Sequence, residues 1–385
     1  IDIGPKAGIN GGNIVAQGNF KDFINQNSLT AHYIGKKAKI ELPKNRRKWS
    51  KKITITGARE NNLKNIKIDF PLNTLTVVTG VSGSGKSTLV NNILFPALSN
   101  ILGNYSEKPG EFNELTGNTE SIEFVELVDQ NPIGRSSRSN PVTYIKAYDD
   151  IRKLFSSQRY SIIRGFKPKH FSFNIDGGRC ENCKGEGQVT IEMQFMADVN
   201  IKCEVCNGKR FMKDVLEVKF KNKNIDDILN FTIDEAIDFF GANEEVKIQN
   251  KLQVLKDVGL GYIKLGQSSS TLSGGEAQRI KLASFLGIKT NKKNGLFIFD
   301  EPTTGLHYDD INKLLGSINS LIEKDNSVII IEHNIELIKC ADHIIDLGPK
   351  GGNKGGHIIA AGDPKKIISI NQSITGKYLK KVLQK

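Results

Sequence analysis

Long apolar runs are missing from this chain. None approaches the roughly 18–20 residues that a helix needs to cross a bilayer, and no signal-peptide pattern opens the sequence, so a cytoplasmic location is expected. Cysteine is scarce, five in 385 residues, and four of the five fall in two C-x-x-C pairs. That grouping argues against a disulfide framework and for a metal site in a reducing compartment. The fifth, Cys340, sits among apolar residues and reads as a small core side chain rather than a nucleophile. Acidic residues are also short, 42 Asp and Glu against 54 Lys and Arg, for a net charge of +12. The imbalance favours a polyanionic partner such as nucleic acid, although a lysine-rich composition alone gives the same sign.

What is present begins with Gly80 to Thr88, Gly-Val-Ser-Gly-Ser-Gly-Lys-Ser-Thr, which fits G-x-x-x-x-G-K-[ST]. The chemistry needs each residue of the run Gly80, Val81, Ser82, Gly83, Ser84, Gly85, Lys86, Ser87 and Thr88. The glycines let consecutive backbone N–H groups turn toward phosphates, Lys86 supplies a point charge, and Ser87 offers a hydroxyl to Mg²⁺. Leu75 to Thr79 reads as a buried parallel strand ahead of it, and Thr88 to Leu98 as the helix behind it. No aromatic stands in an obvious position to stack on adenine. Ile53–Thr56 and Ile66–Phe70 alternate like two antiparallel edge strands.

Further buried strands are expected at Ser121–Val128, Gly295–Phe299 and Ser327–Ile331. The first leads to Gln130, which could ligate Mg²⁺ or orient water. The second delivers Asp300, a water-mediated Mg²⁺ ligand, and Glu301, placed to polarise an attacking water. The third ends at His333, suited to sensing a γ-phosphate. Leu272-Ser273-Gly274-Gly275-Glu276 has the form of a capping box opening a helix that runs to about Leu286, a positive helix end able to meet phosphate. Thr232–Phe240 and Val246–Val258 have the apolar spacing of amphipathic helices.

Cys180-x-x-Cys183 and Cys203-x-x-Cys206 stand nineteen residues apart, and four thiolates at that spacing suit a tetrahedral Zn²⁺. Between them Val189, Ile191, Met193 and Phe195 alternate with polar residues and Val199 and Ile201 resume the pattern. This predicts a β-hairpin tipped by Phe195 and Met196, with both cysteine pairs at its base. Residues 134–170 carry Arg135, Arg138, Arg164, Lys167 and Lys169 among interleaved aromatics. These are candidates for DNA-backbone contacts, but an exposed helical face has the same composition and the two readings stay open.

The chain also repeats itself. Ile1–Lys6 answers to Ile345–Lys350, Gly11-Gly12 to Gly355-Gly356, and Ser28-Leu-Thr30 to Ser373-Ile-Thr375. This predicts tandem modules, with the second module here and only the tail of the first. The expected boundaries are 1–36 for that tail and 37–52 for a basic linker. The first part of an ATP-binding core follows at 53–130, an inserted region at 131–270 with a zinc module at about 176–212, and the second part of the core at 271–385.

In order, the phosphate loop, Gln130, Leu272–Glu276, Asp300-Glu301 and His333 resemble the ABC-type ATPase family. Val128–Gly134, Phe171–Asn174, Gly177–Cys180, Cys203–Cys206, Leu272–Arg279 and Asp300–His307 narrow the resemblance to the A subunits of the bacterial UvrABC excision nuclease. That resemblance implies an α/β fold: a P-loop ATPase domain with an inserted helical signature domain carrying a zinc-bound β-hairpin. It further implies ATP, Mg²⁺ and Zn²⁺ as cofactors and an ATPase that recognises damaged duplex DNA in nucleotide excision repair. A homodimer and a UvrB partner docked through a module absent here are also implied, with no membrane partner and no nuclease activity in this chain. One departure is His307, where most ABC members carry Asp, which puts the usual cross-module contact in doubt. A transporter ATPase subunit and a relative devoted to drug self-resistance are the alternatives.

Overall fold

The computed structural model describes residues 1–5, 8, 11–104, 107–134, 138–191, 193, 199–287 and 294–383. They form two compact units, one of residues 1–2, 15–130 and 288–385, the other of residues 3–14 and 131–287.

The first unit is built on a six-stranded sheet and a three-stranded one. Strands β1 (Lys52–Ala58), β2 (Ile66–Pro71) and β4 (Glu114–Gly117) pair antiparallel in the order β2-β1-β4, with β3 (Leu75–Gly80) running on into the phosphate loop. The larger sheet has the order β9-β8-β3-β7-β6-β5, where β5 is Phe124–Val128, β6 Gly295–Asp300, β7 Ser327–Ile331, β8 His343–Gly348 and β9 His357–Gly362. All its pairings are parallel except β8 with β9. Strands β3, β7 and β8 are buried along their whole length, as continuous apolar runs in a covered parallel sheet require. Ile53, Ile55 and Phe70 of the smaller sheet join Val78, Leu89, Ile93, Ile298 and Ile329 in one core.

Two expectations need adjustment. The strand expected from Ser121 starts at Phe124, because Thr119–Ser121 closes into a 3₁₀ turn. The helix behind the phosphate loop winds wide as a π-helix over Thr88–Leu94 and then as an α-helix over Phe95–Ile101, where Pro96 has no N–H to donate to a regular ladder.

Residues 13–34 and the end of the chain repeat one element order. Strand Asn13–Ala16 and helices Phe20–Phe23 and Leu29–Ile34 correspond to β9 and helices Pro364–Ile368 and Ile374–Leu383. The matched serines behave alike, Ser28 Oγ accepting from Ala31 N at 3.1 Å and Ser373 Oγ from Gly376 N at 2.7 Å.

The second unit is mainly helical, with helices Tyr148–Ser156, Arg159–Arg164, Ile225–Asn230, Ile233–Ala242, Val246–Asp257 and Gly274–Gly287. Reciprocal capping boxes start three of them, Asn224 with Asp227, Thr232 with Glu235 and Ser273 with Glu276. A two-stranded hairpin, Gln188–Ile191 against Val199–Lys202, projects among them. No helix of the described residues is long and apolar enough to cross a membrane.

Candidate nucleotide site and metal centre

The phosphate loop leaves β3 at Gly80, whose φ of +139° and closeness to Leu347 O, 2.1 Å from where a Cβ would stand, admit no side chain. Lys86 Nζ donates to the carbonyls of Gly80 at 3.3 Å and Val81 at 3.1 Å, folded within its own loop. Burial pushes its pKa down, while Glu301, Asp300 and Asp346 push it back up. The outer wall of the loop is stitched by residues that sequence reasoning missed. Asn62 Nδ2 donates to Gly83 O at 2.9 Å and Gly352 O at 3.1 Å, and Gly352 N and Gly356 N donate to Gly83 O and Ser84 O. Gly356 lies too near Asn62 O for any Cβ. The repeated Gly-Gly pair was the available signal for this turn.

Strand register explains how distant residues meet. Asp300 stands opposite Ile331 and Phe299 opposite Val128, so β5, β6 and β7 end at one level and release Gln130, Glu301 and His333 side by side. His333 Nε2 lies 3.5 Å from Glu301 Oε1, and Gln130 Nε2 donates to Glu301 O at 3.3 Å. Glu301 has φ +45°, a left-handed backbone unusual for a non-glycine residue. Asp300 accepts from Asn91 Nδ2 at 2.8 Å; burial raises its pKa and that hydrogen bond opposes the rise.

Beneath them is a residue the sequence did not flag. Glu332, 2% exposed, accepts from His333 N at 2.6 Å, Asn334 N at 2.7 Å and Thr303 N at 3.0 Å, as well as from Thr303 Oγ1. It fixes the turn after the acidic pair to the turn bearing His333. His307, the departure noted above, caps helix Tyr308–Ile322 through Nδ1 and meets Thr30 Oγ1 through Nε2 at 3.2 Å. Tyr33 stacks on Tyr308 with centroids 5.2 Å apart.

In the second unit, Ser273, Gly274 and Gly275 open helix Gly274–Gly287 as expected. Ser273 N donates to Glu276 Oε2 at 2.8 Å and Ser273 Oγ accepts from Glu276 N at 3.3 Å, while Tyr262 OH holds the other carboxylate oxygen. Ser273 itself is exposed.

All four cysteine sulfurs gather within 4.8 Å of one another. Cys180 and Cys203 Sγ are 3.9 Å apart and Cys183 and Cys206 Sγ 3.6 Å. Zn–S bonds of about 2.3 Å in a tetrahedron require S···S separations of about 3.8 Å, so the donor set fits zinc. Cys183 accepts from Gly187 N and Cys203 from Asn182 Nδ2, both at 3.3 Å. The Asn182 bond, with backbone donors, draws the Cys203 thiol down to about 6.

Of the basic residues, Arg138 contacts Lys184 O and Glu186. Arg164 packs over Tyr160 and pairs at 3.9–4.0 Å with Glu217 and Asp214. Lys167 and Lys169 are exposed, beside exposed Ile162 and Ile163. Arg135, Phe195 and Met196 lie outside the described residues.

No protein-family model matches the chain. It is 56% identical over 386 residues to UvrABC system protein A of Clostridium perfringens and 54% identical over 385 to that of Clostridium tetani, covering all of this chain and 41% and 40% of theirs. The crystal structure of UvrA2 from Deinococcus radiodurans superposes with a TM-score of 0.91 at 41% identity, over 99% of this chain and 46% of that one. The chain thus spans about two fifths of the length of the curated relatives it matches. With an ABC-type α/β core, an inserted helical region and a clustered cysteine quartet, the chain belongs to the UvrABC system protein A family.

Proposed function

We propose that this chain supplies an ATP-hydrolysing, duplex-DNA-binding part of a damage-recognition protein in nucleotide excision repair. The observation that carries the reading is the convergence of Gln130, Glu301 and His333 at three neighbouring strand ends, in the same unit as the phosphate loop. Glu301 takes the proton of the attacking water, with His333 and Gln130 on either side, and Lys86 holds the phosphates. Ser87 and Asp300 would hold Mg²⁺, which supplies charge neutralisation on the phosphate oxygens. The helix start at Ser273–Gly275 offers backbone donors to the γ-phosphate of a nucleotide bound by another ABC module.

Zinc on Cys180, Cys183, Cys203 and Cys206 has a structural role, because four thiolates leave no open coordination position. Lys167 and Lys169 are the basic residues freest to meet a DNA backbone, with Arg138 and Arg164 held in place by their carboxylate neighbours. Gripping the backbone without reading bases suits a sensor of deformability, since unrelated lesions share altered bending and stacking. Homodimerisation, loading of UvrB and a cytoplasmic location complete the reading. Residues 1–36 are the tail of a preceding ABC module in this scheme, and 131–270 is an insert between the two parts of the core.

The test uses the full-length protein that carries this chain. Glu301→Gln should keep ATP binding and lose about 10²–10⁴-fold in phosphate release; unchanged turnover overturns the assignment. Binding to matched lesion-bearing and undamaged duplexes, with and without ATP, tests the DNA half. Equal affinity for both under all conditions refutes damage recognition.

A further inference from the structure

A groove of about 980 Å³ opens in the first unit, away from the phosphate loop. Arg46–Trp49, Lys67–Asp69 of β2, Asp342 and His343 at the start of β8, and Gly362 at the end of β9 with Asp363 and Lys366 beyond it line the groove. It lies at the opposite end of β3 from Gly80: Leu75 N donates to Asp342, and the strand advances about 3.3 Å per residue, placing the two ends about 17 Å apart. It is therefore separate from the ATP site.

The charges of the groove do not cancel locally. Asp342 is consumed by Arg47, at 3.2 Å, and by Leu75 N. Asp69 is held by Lys52 at 2.6 Å and Thr54 at 2.7 Å, and Asp363 caps a helix through Lys366 N. Arg46 is spent on the carbonyls of Lys339 and Ala341. Among the described residues, Lys48, Lys67 and Lys366 are left exposed, with no carboxylate within the 4.0 Å of an ion pair. Beside them Trp49 keeps 40% of its surface open. His343 stands edge to face with it, centroids 6.1 Å apart, which supports the indole from behind. His343 is 8% exposed, and its Nε2 has no hydrogen-bond partner among the described residues. Burial holds its pKa down to about 4, so it adds no charge at neutral pH.

We propose that this groove is a second site that binds a nucleotide unit, a planar base against Trp49 with its phosphate on Lys48, Lys67 and Lys366. An acidic peptide would satisfy the lysines but would leave the supported indole without a planar partner, whereas stacking on an aromatic ring contributes about 1–3 kcal/mol per base. The unit can come from a free nucleotide or from a displaced single strand.

Trp49 is the only tryptophan of the chain, so in the full-length protein that carries it the quenching lost in Trp49→Phe reports the groove. Titration with dTMP and with a thymidine hexanucleotide should give saturable quenching. Saturation by dTMP as strong as by the hexanucleotide assigns a free nucleotide, and saturation by the hexanucleotide alone assigns a strand. The double variant Lys67→Ala with Lys366→Ala should weaken binding at least about tenfold and lower the salt slope by about 0.7 for each phosphate no longer neutralised. Trp49→Phe, read by anisotropy of a labelled hexanucleotide, should weaken binding about fivefold or more. No quenching up to about 1 mM, equal quenching by hexaglutamate, or unchanged affinity in either variant would each overturn the proposal.

Discussion

Stripping the metal from the cysteine quartet should unfold the hairpin module and leave the nucleotide-binding unit standing. The hairpin has little else to hold it. Val189, Ile191, Val199 and Ile201 are 39–46% exposed, and the four cysteines form a buried cluster of their own. Its ladder pairs Gln188–Ile191 with Val199–Lys202, eight residues in all. Ordering eight backbones costs roughly 8–16 kcal/mol, close to the roughly 10–16 kcal/mol that a structural zinc contributes in small domains. Without the ion the balance tips to the unfolded hairpin. Hydrogen exchange followed by mass spectrometry, before and after chelation, should show loss of protection over Gln188–Ile191 and Val199–Lys202 and unchanged protection in β3, β6 and β7. Cys203→Ser should reproduce the effect in part, with less than one zinc per chain by colorimetric assay. Full protection of the hairpin in metal-free protein would show that side-chain packing, not the ion, holds it, and would refute the reasoning.

Other consequences follow from particular contacts. Lys86→Ala should abolish phosphate release by the full-length protein while leaving the zinc content unchanged, as read by metal analysis; surviving turnover would misplace the site. Glu332→Ala leaves four donors without their acceptor, at about 1–3 kcal/mol for a buried unsatisfied group, so the melting temperature should fall by several degrees and turnover with it. His343, held near pKa 4 in the fold against an ordinary 6.5, binds fewer protons folded than unfolded between those values. Stability should therefore fall as pH drops from 6.5 to 4, by up to about 3 kcal/mol, and urea melts of His343→Gln should lack that component. Tyr33→Ala removes a ring stacked on Tyr308 and set against His307. A destabilisation of about 0.5–1.5 kcal/mol is expected, with faster exchange in the first turn of helix Tyr308–Ile322; an unaltered exchange rate would make the stacking incidental.

Much of this fold was legible because its signals are local. A continuous apolar run such as Leu75–Thr79 or Ser327–Ile331 has one compact solution, a covered parallel strand. Capping at Ser273 is decided within three residues, and two C-x-x-C pairs bracketing an alternating stretch all but dictate a hairpin with the four cysteines gathered at its base. What stayed hidden depends on residues far apart in sequence. Asn62 bonds both the phosphate loop at Gly83 and a turn 290 positions downstream at Gly352, and nothing in any of these segments alone advertises the pairing. The basic stretch 37–52 reads as a linker, yet Arg46 and Arg47 anchor it on residues 339–342, through hydrogen bonds that only the folded sheet creates.

Glu332 shows the same limit at the site itself. An acidic residue before His333 looks like an ordinary strand end, because its value lies in joining its own turn to the one that brings Thr303 from twenty-nine residues upstream. Its carboxylate ties Thr303, two residues past Glu301, to the backbone of His333 and Asn334. Any movement of His333 toward or away from a phosphate is thereby passed to the backbone beside Glu301, which already occupies a left-handed conformation. That conformation survives only where its surroundings over-determine it; Ile331 O and Gln130 hold Glu301 directly, and Glu332 anchors the turn at Thr303 that follows it. Loosening it should disturb the placement of Glu301 before it disturbs nucleotide binding, so a Glu332→Gln protein should keep its affinity for ATP and lose turnover. An equal loss in both would assign Glu332 to the stability of the sheet alone.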